Sequence, residues 1–276
     1  MPWQVTPEDV LRTYVASGRG LLHAAGDAAA RHAALEAARP LAAADKRVLL
    51  LTTDALRDGH ADARLAAVAV VAAALRGNAT AVGLVSRLPF GDDDGDVAAA
   101  AFRVAAEHAA ALTAQQKRDV ATAGAQAAIA AADPATRVAA LALLEAAPDA
   151  PRADVLRNAL AAAMADAVAT VRLAALAAAA VAPRKAVDFE LVAGLAASDA
   201  RPDVRDAAEY LLLLLDVASD GANDGAEDAA PSEPVRHVAG EHAATGDDAY
   251  DSASSPSECI GHAVKATETH RAATSF

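Results

Sequence analysis

Aromatic residues make up only 3% of this chain, cysteine occurs once, and long apolar runs are missing. Each scarcity excludes something. Sheets draw on aromatic and β-branched side chains, whereas the 54% hydrophobic content here is mostly Ala, Leu and Val, the composition of closely packed helices. A lone cysteine, Cys259, can form neither an intramolecular disulfide nor a thiolate zinc cage, and it fits a reducing compartment. Uncharged apolar stretches such as 65–75 end near eleven residues, short of the roughly 18 that a membrane-spanning helix needs. The opening Met1-Pro2-Trp3-Gln4-Val5 lacks the basic and apolar regions of a signal peptide. A soluble, cytoplasmic protein with no membrane partner is expected.

Positive charge is also short. There are 24 basic and 37 acidic residues, a net charge of −13, with 26 Asp to 11 Glu and 20 Arg to 4 Lys. That bias resembles a salt-adapted, halophile-like proteome, in which surface carboxylates serve solubility and do not signal a basic partner. The counterion-release term that drives nucleic-acid binding is missing, so a nucleic-acid partner is not expected.

The signatures of chemistry are absent as well. No phosphate-binding G-x-x-x-x-G-K-[ST] loop and no G-x-S-x-G nucleophile elbow occurs. The acidic run Asp92-Asp93-Asp94-Gly95-Asp96 suggests calcium, but an EF-hand loop starting at Asp92 needs glycine sixth and glutamate twelfth, where Val97 and Arg103 stand. Starting at Asp220, Gly225 falls correctly, but Ala222 and Pro231 occupy ligand positions. The eight histidines (His23, His32, His60, His108, His237, His242, His262 and His270) make no H-E-x-x-H or other compact metal spacing. Neither catalysis, a cofactor nor a metal is expected.

What the sequence does have is a repeat. Asp166–Ala182 reads D-A-V-A-T-V-R-L-A-A-L-A-A-A-A-V-A, and aligning on Arg172 brings the arginine back as Arg31, Arg64, Arg137 and Arg205, with Ala98 in its place once. An alanine pair follows every time: Ala33-Ala34, Ala66-Ala67, Ala100-Ala101, Ala139-Ala140, Ala174-Ala175 and Ala207-Ala208. An apolar residue comes next (Leu35, Val68, Phe102, Leu141, Leu176) in all copies but the last. The spacings run from 33 to 39 residues, the period of a stacked array of supersecondary units. Breakers at Gly59, Gly77, Gly91, Gly95, Pro134, Pro148, Pro151, Pro183 and Pro202 divide each unit into two helices. The predicted pairs are 46–57 with 61–76, 79–88 with 96–111, 114–131 with 134–147, 152–164 with 168–181, and 185–197 with 202–217. A first unit runs from a helix capped at Thr6 to a second helix over 27–39.

Acids recur near the start of each second helix, six residues before the arginine position at Asp58, Asp92, Asp166 and Asp199, or four before it at Asp27 and Asp133. They are expected to cap the helix and to point at the arginine of a neighbouring unit. The resulting structural ladder comprises Asp58, Arg64, Asp92, Arg137, Asp166, Arg172, Asp199 and Arg205, with one rung interrupted at Ala98. The alanine pair lets helices of adjacent units approach closely.

The helical pairs, their spacing and the D-x-x-x-x-V-R-x-x-A-A pattern, clearest at Asp166…Val171-Arg172…Ala174-Ala175 and Asp199…Val204-Arg205…Ala207-Ala208, resemble the HEAT-repeat (armadillo-like) α-solenoids over about residues 6–217. The resemblance implies an all-α superhelix of about six helical-hairpin repeats, structural Asp and Arg, and a role in binding other macromolecules. The iron hydroxylases built on such repeats carry His-Glu dipeptides, and this chain has none; the related DNA glycosylases use a basic groove with aromatic residues. A lyase-like or repair-like enzyme is the alternative reading.

Three segments are expected: a degenerate or capping repeat over 1–45, HEAT-like repeats over 46–217, and a disordered acidic tail over 218–276. The tail has 11 acids, 3 bases and too little apolar surface to offset its ordering entropy. The last motif helix carries five leucines in succession, Leu211–Leu215, and because successive helical residues are about 100° apart, some must face away from the preceding repeat. Tyr210, Leu213 and Leu214 are the expected outward positions and candidate partner-binding residues. A terminal repeat normally has a polar outer face, so this surface needs a cover, from a protein partner, self-association, or the tail through Ile260–Val264. A non-catalytic scaffold or adaptor is the expected function.

Overall fold

Alanine, the best helix former, dominates the computed structural model, which describes residues 28–78 and 81–223, with side chains as far as Asp216. Among the described residues there are eleven α-helices and no strand. In chain order they are α1 (Ala28–Ala38), α2 (Lys46–Ala55), α3 (Ala61–Leu75), α4 (Val82–Val85), α5 (Gly95–Glu107), α6 (Ala114–Ala130), α7 (Pro134–Ala146), α8 (Ala153–Met164), α9 (Ala169–Val181), α10 (Phe189–Ser198) and α11 (Pro202–Asn223). All lie within one unit, 1–227. The expected helix at Thr6, the acid Asp27 and the tail from 224 onward lie outside the described residues.

Local chemistry sets the boundaries. Asp45, Asp94, Asp133 and Asp188 cap α2, α5, α7 and α10 by accepting backbone N–H bonds, and Thr113 with Gln116 forms a reciprocal capping box at α6. Pro134 opens α7, where its missing N–H costs nothing. The predicted helix over 79–88 is reduced to the four residues of α4, because Gly83 weakens it and Pro89 disfavours helical geometry in the residue before it. At the other end α11 continues to Asn223, six residues past the composition change at Val217. The longest repeat spacing reflects α6, which has 17 residues.

Two rows of helices result. Each motif helix packs on the next, α1 on α3, α3 on α5, α5 on α7, α7 on α9 and α9 on α11. The first helices back this row: α2 packs on α3, α6 on α7, α8 on α9 and α10 on α11, while α6, α8 and α10 also contact one another in turn. The repeat alignment explains the seam. The second alanine of each pair is buried in every copy (Ala34, Ala67, Ala101, Ala140, Ala175 and Ala208), and the apolar residue after it is at most 3% exposed in Leu35, Val68, Phe102, Leu141 and Leu176. Gly124 marks a close approach of α6 to α7, since a Cβ there would lie 3.4 Å from both the Ala140 carbonyl oxygen and Leu143 Cδ2.

Candidate functional site

The repeated arginines and aspartates meet across successive units. Arg31 Nε donates to Asp58 Oδ2 at 2.6 Å and its Nη2 to Oδ1 at 3.0 Å. Arg64 grips Asp92 in the same way, at 2.7 and 2.6 Å, and Arg172 grips Asp199 at 2.7 and 2.8 Å. Arg137 donates through Nη2 to Asp166 at 3.1 Å, with Nε 2.8 Å from the other carboxylate oxygen but poorly aligned for a hydrogen bond. These are fork-on-fork pairs. Their side chains are between 4% and 13% exposed. Three of these arginines also turn back on their own loops. Nη1 of Arg64, Arg137 and Arg172 donates to the carbonyl six residues earlier, at 2.8 Å in each case.

The acids that pair with arginine are not the helix caps, as the sequence had suggested. Asp58, Asp92, Asp166 and Asp199 each use one oxygen to accept the backbone N–H two residues on, from His60, Asp94, Val168 and Arg201, which fixes the turn and aims the carboxylate sideways. Asp133, four residues before its arginine, is a true N-cap. It accepts from the N–H and hydroxyl of Thr136 and meets no arginine. Burial by itself raises the carboxyls of Asp58, Asp92 and Asp166, but the guanidinium and backbone donors outweigh it, so all three titrate below the ordinary aspartate range. Asp199 is lowered chiefly by its bond from Arg172.

One rung is missing on both sides. Ala98 stands where the arginine would be, and Ala131 stands six residues before Arg137, where the acid would be. Instead the one Thr136 hydroxyl hydrogen is shared between the Gly95 carbonyl and the Asp133 carboxylate, each 3.0 Å from the oxygen. Asp133 packs so closely on Gly95 that a Cβ there would lie 2.8 Å from the Asp133 Cβ. A cleft of about 510 Å³ remains, bordered by Phe90, Ala98, Ala131, Asp133 and Thr136. The sequence announced only the arginine half of this gap; reading the position six residues before each arginine would have found Ala131.

On α11, Tyr210 is 62% exposed, Leu213 65% and Leu214 40%, while Leu211 and Leu215 are buried. The physical reason differs from the one the sequence suggested. These residues stand five, eight and nine positions after the arginine. In α9 the equivalent positions, Ala177, Ala180 and Val181, are exposed although α11 covers that unit. In α7 they are Ala142, Glu145 and Ala146, again half-buried or exposed. The outward strip therefore runs along the motif helices and is lined mostly by alanine, with Val181 exposed on α9, and three large apolar or aromatic side chains gather on it at Tyr210, Leu213 and Leu214. One position that the end of the row does uncover is Glu209, aligned with the buried Val68, Phe102, Leu141 and Leu176. Sequence reasoning noted the break in apolar pattern there but assigned it no role.

Among the described residues no group of three or more His, Cys, Asp or Glu is placed to hold a metal ion. None of the described helices is long and apolar enough to cross a membrane. The chain matches no protein-family model and no curated protein.

Proposed function

We propose that this chain is a HEAT-like α-solenoid that works as a non-catalytic scaffold or adaptor, holding a protein partner on the outward strip of its motif helices at Tyr210, Leu213 and Leu214. The observation that carries this reading is the contrast along one register. Five, eight and nine positions after the arginine, inner helices present mostly alanine, and α11 presents a tyrosine and two leucines, all exposed. Large side chains left in water at adjoining positions mark an interaction surface, and tyrosine combines apolar area with a polar tip. The two-row helix order and the arginine–aspartate rungs support the solenoid assignment, since a rung between each unit and the next favours one stacking geometry.

Replacing Leu213 and Leu214 together with glutamate tests the reading. The variant should fold as the wild type does and should lose the proteins that the wild type captures from native cytoplasm at native salt. Light scattering on both proteins separates a foreign partner from self-association, which would appear as a wild-type dimer that the substitutions dissociate. Capture unaffected by the substitutions refutes the assignment.

A further inference from the structure

The ladder ends on an arginine that is set but not closed. Arg205 Nη1 donates to the Asp199 carbonyl at 2.6 Å, the bond that Arg64, Arg137 and Arg172 each make at 2.8 Å to the residue six before. In those three the held guanidinium then grips an aspartate of the following unit, whereas Arg205 has the same hold and, among the described residues, no carboxylate. A planar fork already fixed by one bond loses little freedom on accepting its second partner.

Arg205, Glu209 and Leu212 follow one another at helical spacing on the side of α11 where an inner motif helix receives the next unit. Next to them lies a cleft of about 500 Å³ between α10 and α11, lined by Arg184, Phe189, Glu209, Leu212, Leu213 and Asp216. Its lining combines the apolar Phe189, Leu212 and Leu213 with the charged Arg184, Glu209 and Asp216. Glu209 separates this face from the chain's own seams. A copy of one of its own repeats docked here would bury that carboxylate where inner units bury Val68 or Leu141, and an unpaired buried carboxylate is strongly disfavoured.

We propose that the end face of α10 and α11 receives a helical hairpin of a different protein. That hairpin opens with an aspartate, whose carboxylate closes on the Arg205 fork, and it brings a basic side chain to Glu209. The inference rests on the scaffold reading and specifies the chemistry of its partner.

The test uses the full chain and a fluorescein-labelled synthetic hairpin of residues 152–182, which carries Asp166 and supplies the carboxylate to Arg137 within the protein. Fluorescence anisotropy should show weak binding to the wild type and binding at least tenfold tighter to Glu209→Leu, which restores the apolar register. Adding Arg205→Ala to Glu209→Leu should weaken binding at least tenfold. An Asp166→Asn probe should lose as much, with no further loss when both changes are combined. Arg205→Lys, which keeps the charge and removes the fork, should fall between, and circular dichroism checks the fold of each variant. Binding indifferent to Arg205 and to Asp166 overturns the proposal. So does a wild-type dimer that Arg205→Ala dissociates, which would make a second copy the occupant, or probe binding that appears only after truncation behind Asn223, which would make it the chain's own C-terminal segment. If Arg205→Ala is inert while the Leu213 and Leu214 double substitution still abolishes capture, the end face fails and the scaffold reading stands.

Discussion

Substituting Arg64 with alanine removes four side-chain hydrogen bonds at once. Two go to Asp92 at 2.7 and 2.6 Å, one to Asp93 at 2.9 Å and one to the Asp58 carbonyl at 2.8 Å. Asp93 is 94% exposed and returns to water freely. Asp92 does not, because its side chain is 5% exposed and keeps only the Asp94 N–H at 3.0 Å. Breaking a buried pair by removing one partner costs about 3–5 kcal/mol. With Arg64 itself 12% exposed, the lower end applies, about 3 kcal/mol. For a domain of roughly 150–250 residues that corresponds to a fall of about 6–12 °C in the melting temperature. Arg205→Ala is the internal control, because it deletes the same side chain in the same posture but only the single bond to Asp199, worth about 1 kcal/mol. Urea unfolding of wild type, Arg64→Ala, Asp92→Ala and the double variant at pH 7 measures the coupling, and the double should fall short of the sum by about 1–3 kcal/mol. Equal losses for Arg64→Ala and Arg205→Ala, or strict additivity with Asp92→Ala, would refute the reasoning.

The pH dependence has a defined sign. The rung aspartates are depressed below their ordinary value, so their stabilisation is complete above the unfolded-state pKa of about 3.9 and is lost as pH falls through the lower folded value. Wild-type melting should hold steady from pH 7 to 5 and drop below about pH 4. In Arg64→Ala the buried Asp92 loses its main lowering influence, so the penalty of that variant should shrink at pH 4, as differential scanning calorimetry would show. Restoring the missing rung with Ala98→Arg and Ala131→Asp should give a positive coupling of about 1 kcal/mol over the two single changes, read by the same urea series. Gly124→Leu drives a side chain into the Ala140 carbonyl and Leu143 and should cost about 1–3 kcal/mol. The Leu213 and Leu214 double glutamate variant alters exposed positions and should move stability by no more than about 0.5 kcal/mol, so a larger drop would mean that these leucines are structural.

The sequence by itself determined the helical class and the unit, because alanine content, caps and breakers act within a few residues and the arginine–alanine register is linear text. Of the ladder it named Arg64, Asp92, Arg137, Asp166, Arg172 and Asp199, which pair, and Asp58 without its partner Arg31, and it added Arg205, which meets no carboxylate among the described residues. It misread what each acid does. Six residues before the arginine, an aspartate holds its turn through one oxygen while its carboxylate faces the arginine of the preceding unit, whereas at four before it caps the helix; only the packed loops distinguish Asp92 from Asp133. The missing rung at Ala98 and Ala131 became a cleft only once α5 and α7 were side by side. For Tyr210, Leu213 and Leu214, a five-leucine run on a helix guaranteed exposure somewhere, but which leucines and for what reason depended on where α9 and α10 lie against α11. Burial is a property of neighbours, and those neighbours lie in other units: Leu211 and Leu215 are buried, while Leu213 and Leu214, between them in sequence, face water.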